Sequence, residues 1–319
     1  MRRQAAIILT VVLALIMVAM TVGCPAPQDK VVTVGCKNFT EQYIVGQLMK
    51  QLLEDRGFTV ELKSGRSTEY LREGMEFGDI DIYAEYTGTA WMVHLAHMYK
   101  PGMDNDKVYR LVREEDEGNG FVWLNPMWND NTYALASWPE FVEEHGLKTL
   151  SDLTALYREK QGKIETCVGL EFSTRLDGLP ALQRHYDFEV AQDCLITRVV
   201  AAPLESLEKG ESEVAMVFGT DAEIIKHGWH VYIDDKAFFP PYDLTPYVRK
   251  EVLDKYPEIG DILNELVAAF PGGGESATPE FVAECQKTWQ ELNAKVSIDA
   301  MEPEEVAREY LVEHGLIKG

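Results

Sequence analysis

Basic residues are scarce in this chain: 30 Lys and Arg stand against 53 Asp and Glu, a formal net charge of −23 over 319 residues. Too few cations remain to track a phosphate backbone, which argues against nucleic-acid binding. The acidic excess suits an exported protein that must stay soluble. Cysteine is sparse as well. None of Cys24, Cys36, Cys167, Cys194 and Cys285 stands in a CxxC or Cys–His spacing, so no zinc centre or other metal site is expected. Cys167 and Cys194 are the closest pair within one region, but spacing alone establishes no bond. No internal repeat and no G-x-S-x-G elbow is present. A hydrolase using Cys167 or Ser173 with His185 therefore has no motif behind it, and no catalytic residue or cofactor is assigned. The one long apolar run, Ala5 to Met20, is shorter than the ~20 residues a membrane-spanning helix needs.

That run has a different meaning in context. Met1-Arg2-Arg3-Gln4 is a basic start, and Thr21-Val22-Gly23 puts small residues ahead of Cys24. Basic, apolar and small regions in this order read as a secretory signal peptide over 1–23. A cysteine at the cleavage point resembles a bacterial lipobox, although Thr21 stands where such motifs usually carry Leu. The expectation is a lipid on Cys24, a stiff polar tether over 24–30 and an extracytoplasmic location.

From Val31 the pattern alternates between periods. Val31–Val34, Phe58–Leu62 and Ile80–Ala84 read as strands, separated by helices from Thr40 to Gly57 and from Ser67 to Gly78. A second series begins at Tyr133–Ala136. It includes a helix opened by a Thr149/Asp152 capping box and strands at Thr166–Leu170, Phe188–Ala191, Val214–Phe218 and Val231–Ile233. The tail reads as helices over Val252–Phe270, Pro279–Val296 and Pro303–His314. Two β-α series with a helical tail predict an α/β fold of two lobes, with a ligand crevice near the carboxyl ends of the strands.

Several short segments then carry a resemblance. Lys37-Asn38-Phe39-Thr40-Glu41-Gln42, Glu85-Tyr86-Thr87-Gly88-Thr89-Ala90 and Asn131-Thr132-Tyr133-Ala134-Leu135-Ala136 come first. Thr149–Leu153, Asp177-Gly178-Leu179-Pro180, Thr220-Asp221 and Phe238-Phe239-Pro240-Pro241-Tyr242 follow in order. Together they resemble the binding proteins of glycine betaine/choline/carnitine osmoprotectant ABC importers across nearly the whole chain. The resemblance implies a type II periplasmic-binding-protein fold, with lobe 1 over 31–136 plus 240–319 and lobe 2 over 137–239. It implies a quaternary-ammonium ligand and an importer permease as partners, with no catalysis. A rival on the same fold is a receptor for another polar solute, such as an amino acid.

A trimethylammonium group has no hydrogen to donate, so aromatic faces are the way to select it. Carried over by position, the resemblance puts Tyr86, Tyr133, Phe218 and Tyr242 in the cage. Phe218 departs from the family's Tyr and would leave a changed polar rim. Gln42 and Thr89 are expected at a carboxylate end, with Asn131 orienting the backbone near Tyr133. Threonine at 89 favours carboxylated ligands over choline, since an acidic residue there would repel a carboxylate.

Overall fold

The computed structural model describes residues 30–100, 102–175, 178–199 and 202–319. The leader, Cys24 and the tether up to residue 29 lie outside the described residues, as does Asp177.

The strands in chain order are β1 (Lys30–Lys37), β2 (Phe58–Arg66), β3 (Ile82–Tyr86), β4 (Phe121–Trp123), β5 (Tyr133–Ser137), β6 (Thr166–Gly169), β7 (Leu195–Arg198), β8 (Val214–Phe218), β9 (His230–Val231) and β10 (Leu244–Arg249). They form two mixed sheets, ordered β2-β1-β3-β10-β4 and β7-β6-β8-β5-β9. In the first sheet β1, β2 and β3 are parallel, and β10 returns antiparallel between β3 and β4. In the second, β6 is parallel to β7 and β8, while β5 runs antiparallel to β8 and β9. The chain passes from one sheet to the other between β4 and β5, and returns between β9 and β10.

Local sequence accounts for these choices. Val32 and Val34 point inward from β1, and the helix Thr40–Asp55 lays Ile44, Val45, Leu48 and Leu52 against them. Each such side chain contributes about 1.5–3 kcal/mol when fully buried. Gly57, at φ +88°, makes the turn from that helix into β2. Thr149 and Asp152 form the reciprocal capping box that opens the helix Leu150–Glu159. The helices Glu258–Ala268, Pro279–Ser297 and Pro303–Glu313 fold back against the helix Thr40–Asp55.

Some expected elements differ. Phe188–Ala191 is not a strand: Phe188 N donates to Gln183 O and Val190 N to the Gln183 side chain, so the segment closes the preceding helix. The strand comes later, as β7. The run Val252–Phe270 is two helices, Lys250–Lys255 and Glu258–Ala268, because Pro257 interrupts the backbone bonding between them. The strand expected over Val231–Ile233 is the shorter β9, His230–Val231, while Ile233 forms a separate parallel bridge to Thr149. Cys36, Cys167, Cys194 and Cys285 are all free and buried, so Cys167 and Cys194 are not bonded.

A brace also reaches the first crossover and the turn after β8. From the helix Pro279–Ser297, Gln286 donates to Asp130 O, Gln290 to Gly219 O and Asn293 to Thr220 O, at 3.2, 3.0 and 2.8 Å. A C-terminal helix packed on the first sheet's helix thus grips the turn after β8 in the second.

Candidate aromatic site between the sheets

Tyr86 ends β3 and Phe218 ends β8, both carboxyl ends of strands that face the junction. β5 runs opposite to β8, so its first residue, Tyr133, falls directly across from Phe218. Tyr242 precedes β10 on the returning crossover. Its seat depends on Gly88, where a Cβ would lie 2.7 Å from Pro241 O and 2.9 Å from the Tyr242 ring.

These four rings line one cavity of about 260 Å³. Tyr133 stands 5.0 Å from Phe218 and 5.5 Å from Tyr242 by ring centroid, the latter edge-on. Phe39 lies between the remaining pair, 5.5 Å from Phe218 and 6.1 Å from Tyr86, nearly parallel to both. Phe172 backs Tyr133 at 4.9 Å. The structure therefore gathers Tyr86, Tyr133, Phe218 and Tyr242, and adds Phe39.

The polar lining is uneven. Thr89 and Asn131 reach the cavity, as do Lys37, Arg66 and the residues Ser67 and Thr68 that open the helix Thr68–Phe77. Gln42 does not line it. The Gln42 amide is buried, accepting from Lys37 N at 3.2 Å and donating to Ala84 O at 2.9 Å, which ties the helix start to the ends of β1 and β3. Across the mouth, Thr68 donates to Glu171 at 3.3 Å, and Glu171 pairs with Arg175 at 2.8 Å. The Arg175 guanidinium stands 5.3 Å over the Tyr133 ring.

Lys37 is 6 % exposed, and its ammonium contacts Glu85 at 2.6 Å and lies 5.1 Å over Tyr86. Glu85 also accepts from Tyr83 OH and Tyr86 N and contacts His94. Burial pushes this carboxyl up, but Lys37 and His94 overcome burial and hold it at about 2. A second network joins the crossovers. Tyr242 N donates to Asp130, Asp130 N donates to Asp243, and Asn105 donates to both Asp243 oxygens. Burial raises Asp130 to about 6; burial and the neighbouring Asp130 push Asp243 well above the usual range.

Such a site can hold a desolvated cation on π-faces and, at the Lys37–Arg66 side, an anionic group. Nothing is arranged for nucleophilic attack at the rival residues: Ser173 Oγ donates to Leu170 O, His185 contacts Lys236 O, and Cys167 is buried in β6. Among the described residues no group of three His, Cys, Asp or Glu could hold a metal ion. Sequence reasoning missed Phe39, Lys37 and Glu41, although all three sit inside the Lys37–Gln42 segment.

Comparison with known proteins identifies the family. The family model for the substrate binding domain of the ABC-type glycine betaine transport system matches residues 30–313. A Pseudomonas aeruginosa glycine-betaine-binding protein is 30 % identical over 295 residues, covering 91 % of this chain and 90 % of that one. The Escherichia coli glycine betaine-binding protein YehZ is 30 % identical, covering 96 % and 97 %. Its apo structure superposes with a TM-score of 0.61, covering 89 % of this chain and 99 % of that one. The Helicobacter pylori ergothioneine transport permease/ergothioneine binding protein EgtU is also 30 % identical, over 91 % of this chain and 49 % of that one.

Proposed function

Since the chain belongs to the family of substrate-binding domains of ABC-type glycine betaine transport systems, we propose that its aromatic cavity takes a carboxylated quaternary-ammonium solute for delivery to an importer permease. The observation that carries this reading is the meeting of Tyr86, Tyr133, Phe218 and Tyr242, from distant parts of the chain, around one cavity. Each face contributes about 0.5–2 kcal/mol toward a desolvated cation. Three or four then supply a large share of the ~8 kcal/mol that a micromolar affinity represents. The carboxylate end is read by the Thr89 hydroxyl together with Lys37 and Arg66, in place of the engaged Gln42 amide. Thr89 also brings no negative charge that would repel a carboxylate. The lobes divide at the two crossovers, the first before β5 rather than at residue 137 and the second before β10 near residue 240, and closing them excludes water and presents one shape to the permease.

The chain acts outside the cytoplasm, anchored by a lipid on Cys24. Among the described residues no helix is long and apolar enough to cross a membrane. Labelling with a radioactive fatty acid tests the anchor: label on the wild type and none on Cys24→Ser supports it, and equal label refutes it.

The ligand is tested by calorimetric titration with glycine betaine, proline betaine, carnitine, ergothioneine and choline, beside arginine and glutamate. The expected order puts carboxylated methylammonium ligands first and choline behind them. Ergothioneine belongs in the panel because it joins both groups in one larger molecule. Binding of arginine or glutamate with no response to any methylated ammonium refutes the proposal in favour of another polar solute.

A further inference from the structure

Beneath the cage lies a carboxylate that the ring geometry alone does not call for. Glu41 sits in the first turn of the helix Thr40–Asp55 and is 1 % exposed. Its Oε1 accepts from the Tyr86 phenol at 2.7 Å, from Asn129 at 3.0 Å and from Asn131 at 3.1 Å. Its Oε2 is buried and, among the described residues, has no hydrogen-bond partner. Tyr86 and Asn131 both line the aromatic cavity, so one buried group holds two of its walls. Glu41 also borders a smaller cavity of about 100 Å³ that shares Phe39, Asn131 and Phe218 with the first. Among the described residues, no Lys, Arg or His lines this smaller space.

We propose that Glu41 is the positioning residue and fixed counter-charge of the cage, so that binding of a quaternary ammonium is linked to ionisation of this carboxyl. The inference rests on the quaternary-ammonium reading above. A cation moved into a water-poor cleft needs a compensating charge nearby. A methylated nitrogen cannot hydrogen-bond to a carboxylate, so the charge serves it from behind the rings. The Tyr86 phenol carries the effect forward: a hydroxyl donating to an anion makes its ring more electron-rich, and the face holds a cation better.

Burial pushes Glu41 up to about 7, against the nearby Thr220 and the hydrogen bonds from Tyr86, Asn131 and Asn129. The helix N-terminus favours the ionised form, and the arriving cation favours it further. A protein with Glu41 protonated releases that proton to solvent when the cation binds. Other groups face it and must be told apart. Asp221, at the turn after β8, is raised by burial to about 8 and feels Glu41. Cys285 on the helix Pro279–Ser297 is pushed up, first by burial and then by Glu41. Glu223 lies on the rim of the smaller cavity, and Lys37, over Tyr86, is paired with Glu85.

The test is calorimetry of the full chain with glycine betaine, in buffers of differing ionisation enthalpy. Proton release should appear near neutrality, and affinity should fall about tenfold between about pH 8.5 and about pH 5.5. Glu41→Gln should flatten the limb near neutrality and bind at high pH about as weakly as the wild type does at low pH. Asp221→Asn should keep that limb. Parallel pH profiles for wild type and Glu41→Gln, or tight binding without proton release, would overturn the inference and leave the proposed function standing. Failure of every methylated ammonium at high pH would overturn both. Should Glu41→Gln fail to fold, Tyr86→Phe replaces it: loss of the phenol donor should move the midpoint to higher pH, and an unmoved midpoint refutes the link.

Discussion

Replacing Tyr133 by leucine separates the π-face from mere apolar filling. Tyr133 is 7 % exposed and touches Phe172, Phe218 and Tyr242, so leucine keeps the site apolar while removing the ring. The ring-to-ring contacts are lost from free and bound protein alike and largely cancel in an affinity. What does not cancel is the face offered to the cation, about 1–2 kcal/mol in a desolvated cleft. The dissociation constant for glycine betaine should therefore rise about five- to thirtyfold. Tyr133→Phe retains the quadrupole and should stay within about threefold of wild type. Both are measured by titration well below their melting temperatures, because Tyr133→Leu also weakens the core. If the leucine variant binds as tightly as the phenylalanine variant, selection by aromatic faces is refuted.

Phe218→Tyr should keep or tighten binding, since Phe218 is half-buried at the cavity and stacked on Phe39; a loss beyond about tenfold in the same titration counts against it. Lys37→Met leaves Glu85 buried without its cation and should cost about 3–5 kcal/mol in urea unfolding. Adding Glu85→Gln should recover part of that loss, and an unchanged midpoint for Lys37→Met refutes the pair's role. Asp130 has its carboxyl raised to about 6, so its contribution to stability is present at low pH and is lost as pH rises from about 4 through about 6. Asp130→Asn keeps the acceptor for Tyr242 N, and its stability relative to wild type should grow over that window; a constant difference refutes the assignment.

The sequence showed the alternating elements of both sheets because their apolar periods are strong, as in Val32 and Val34 of β1. It hid β10, where Pro246 removes a donor from a strand that is nonetheless central. The proline is tolerated because its carbonyl still accepts from Leu124 N. The four aromatic positions could be named from short motifs, and their rings line one cavity. Their polar surroundings could not. Whether Gln42 faces a cavity or a strand end depends on a packing choice made by Lys37 and Ala84, which no spacing encodes. Glu41 looked like an ordinary first-turn acid, a common residue beside a helix dipole. Only the convergence of Tyr86, Asn129 and Asn131 distinguishes it.

Three amide side chains on the C-terminal helix decide how this molecule is free to move. Gln286, Gln290 and Asn293 fasten the helix to Asp130, Gly219 and Thr220, while its packing keeps it with the opposite half. A gape that preserves these bonds has to pivot about that stretch of helix and part Thr68 from Glu171, which hydrogen-bond to each other at the cavity.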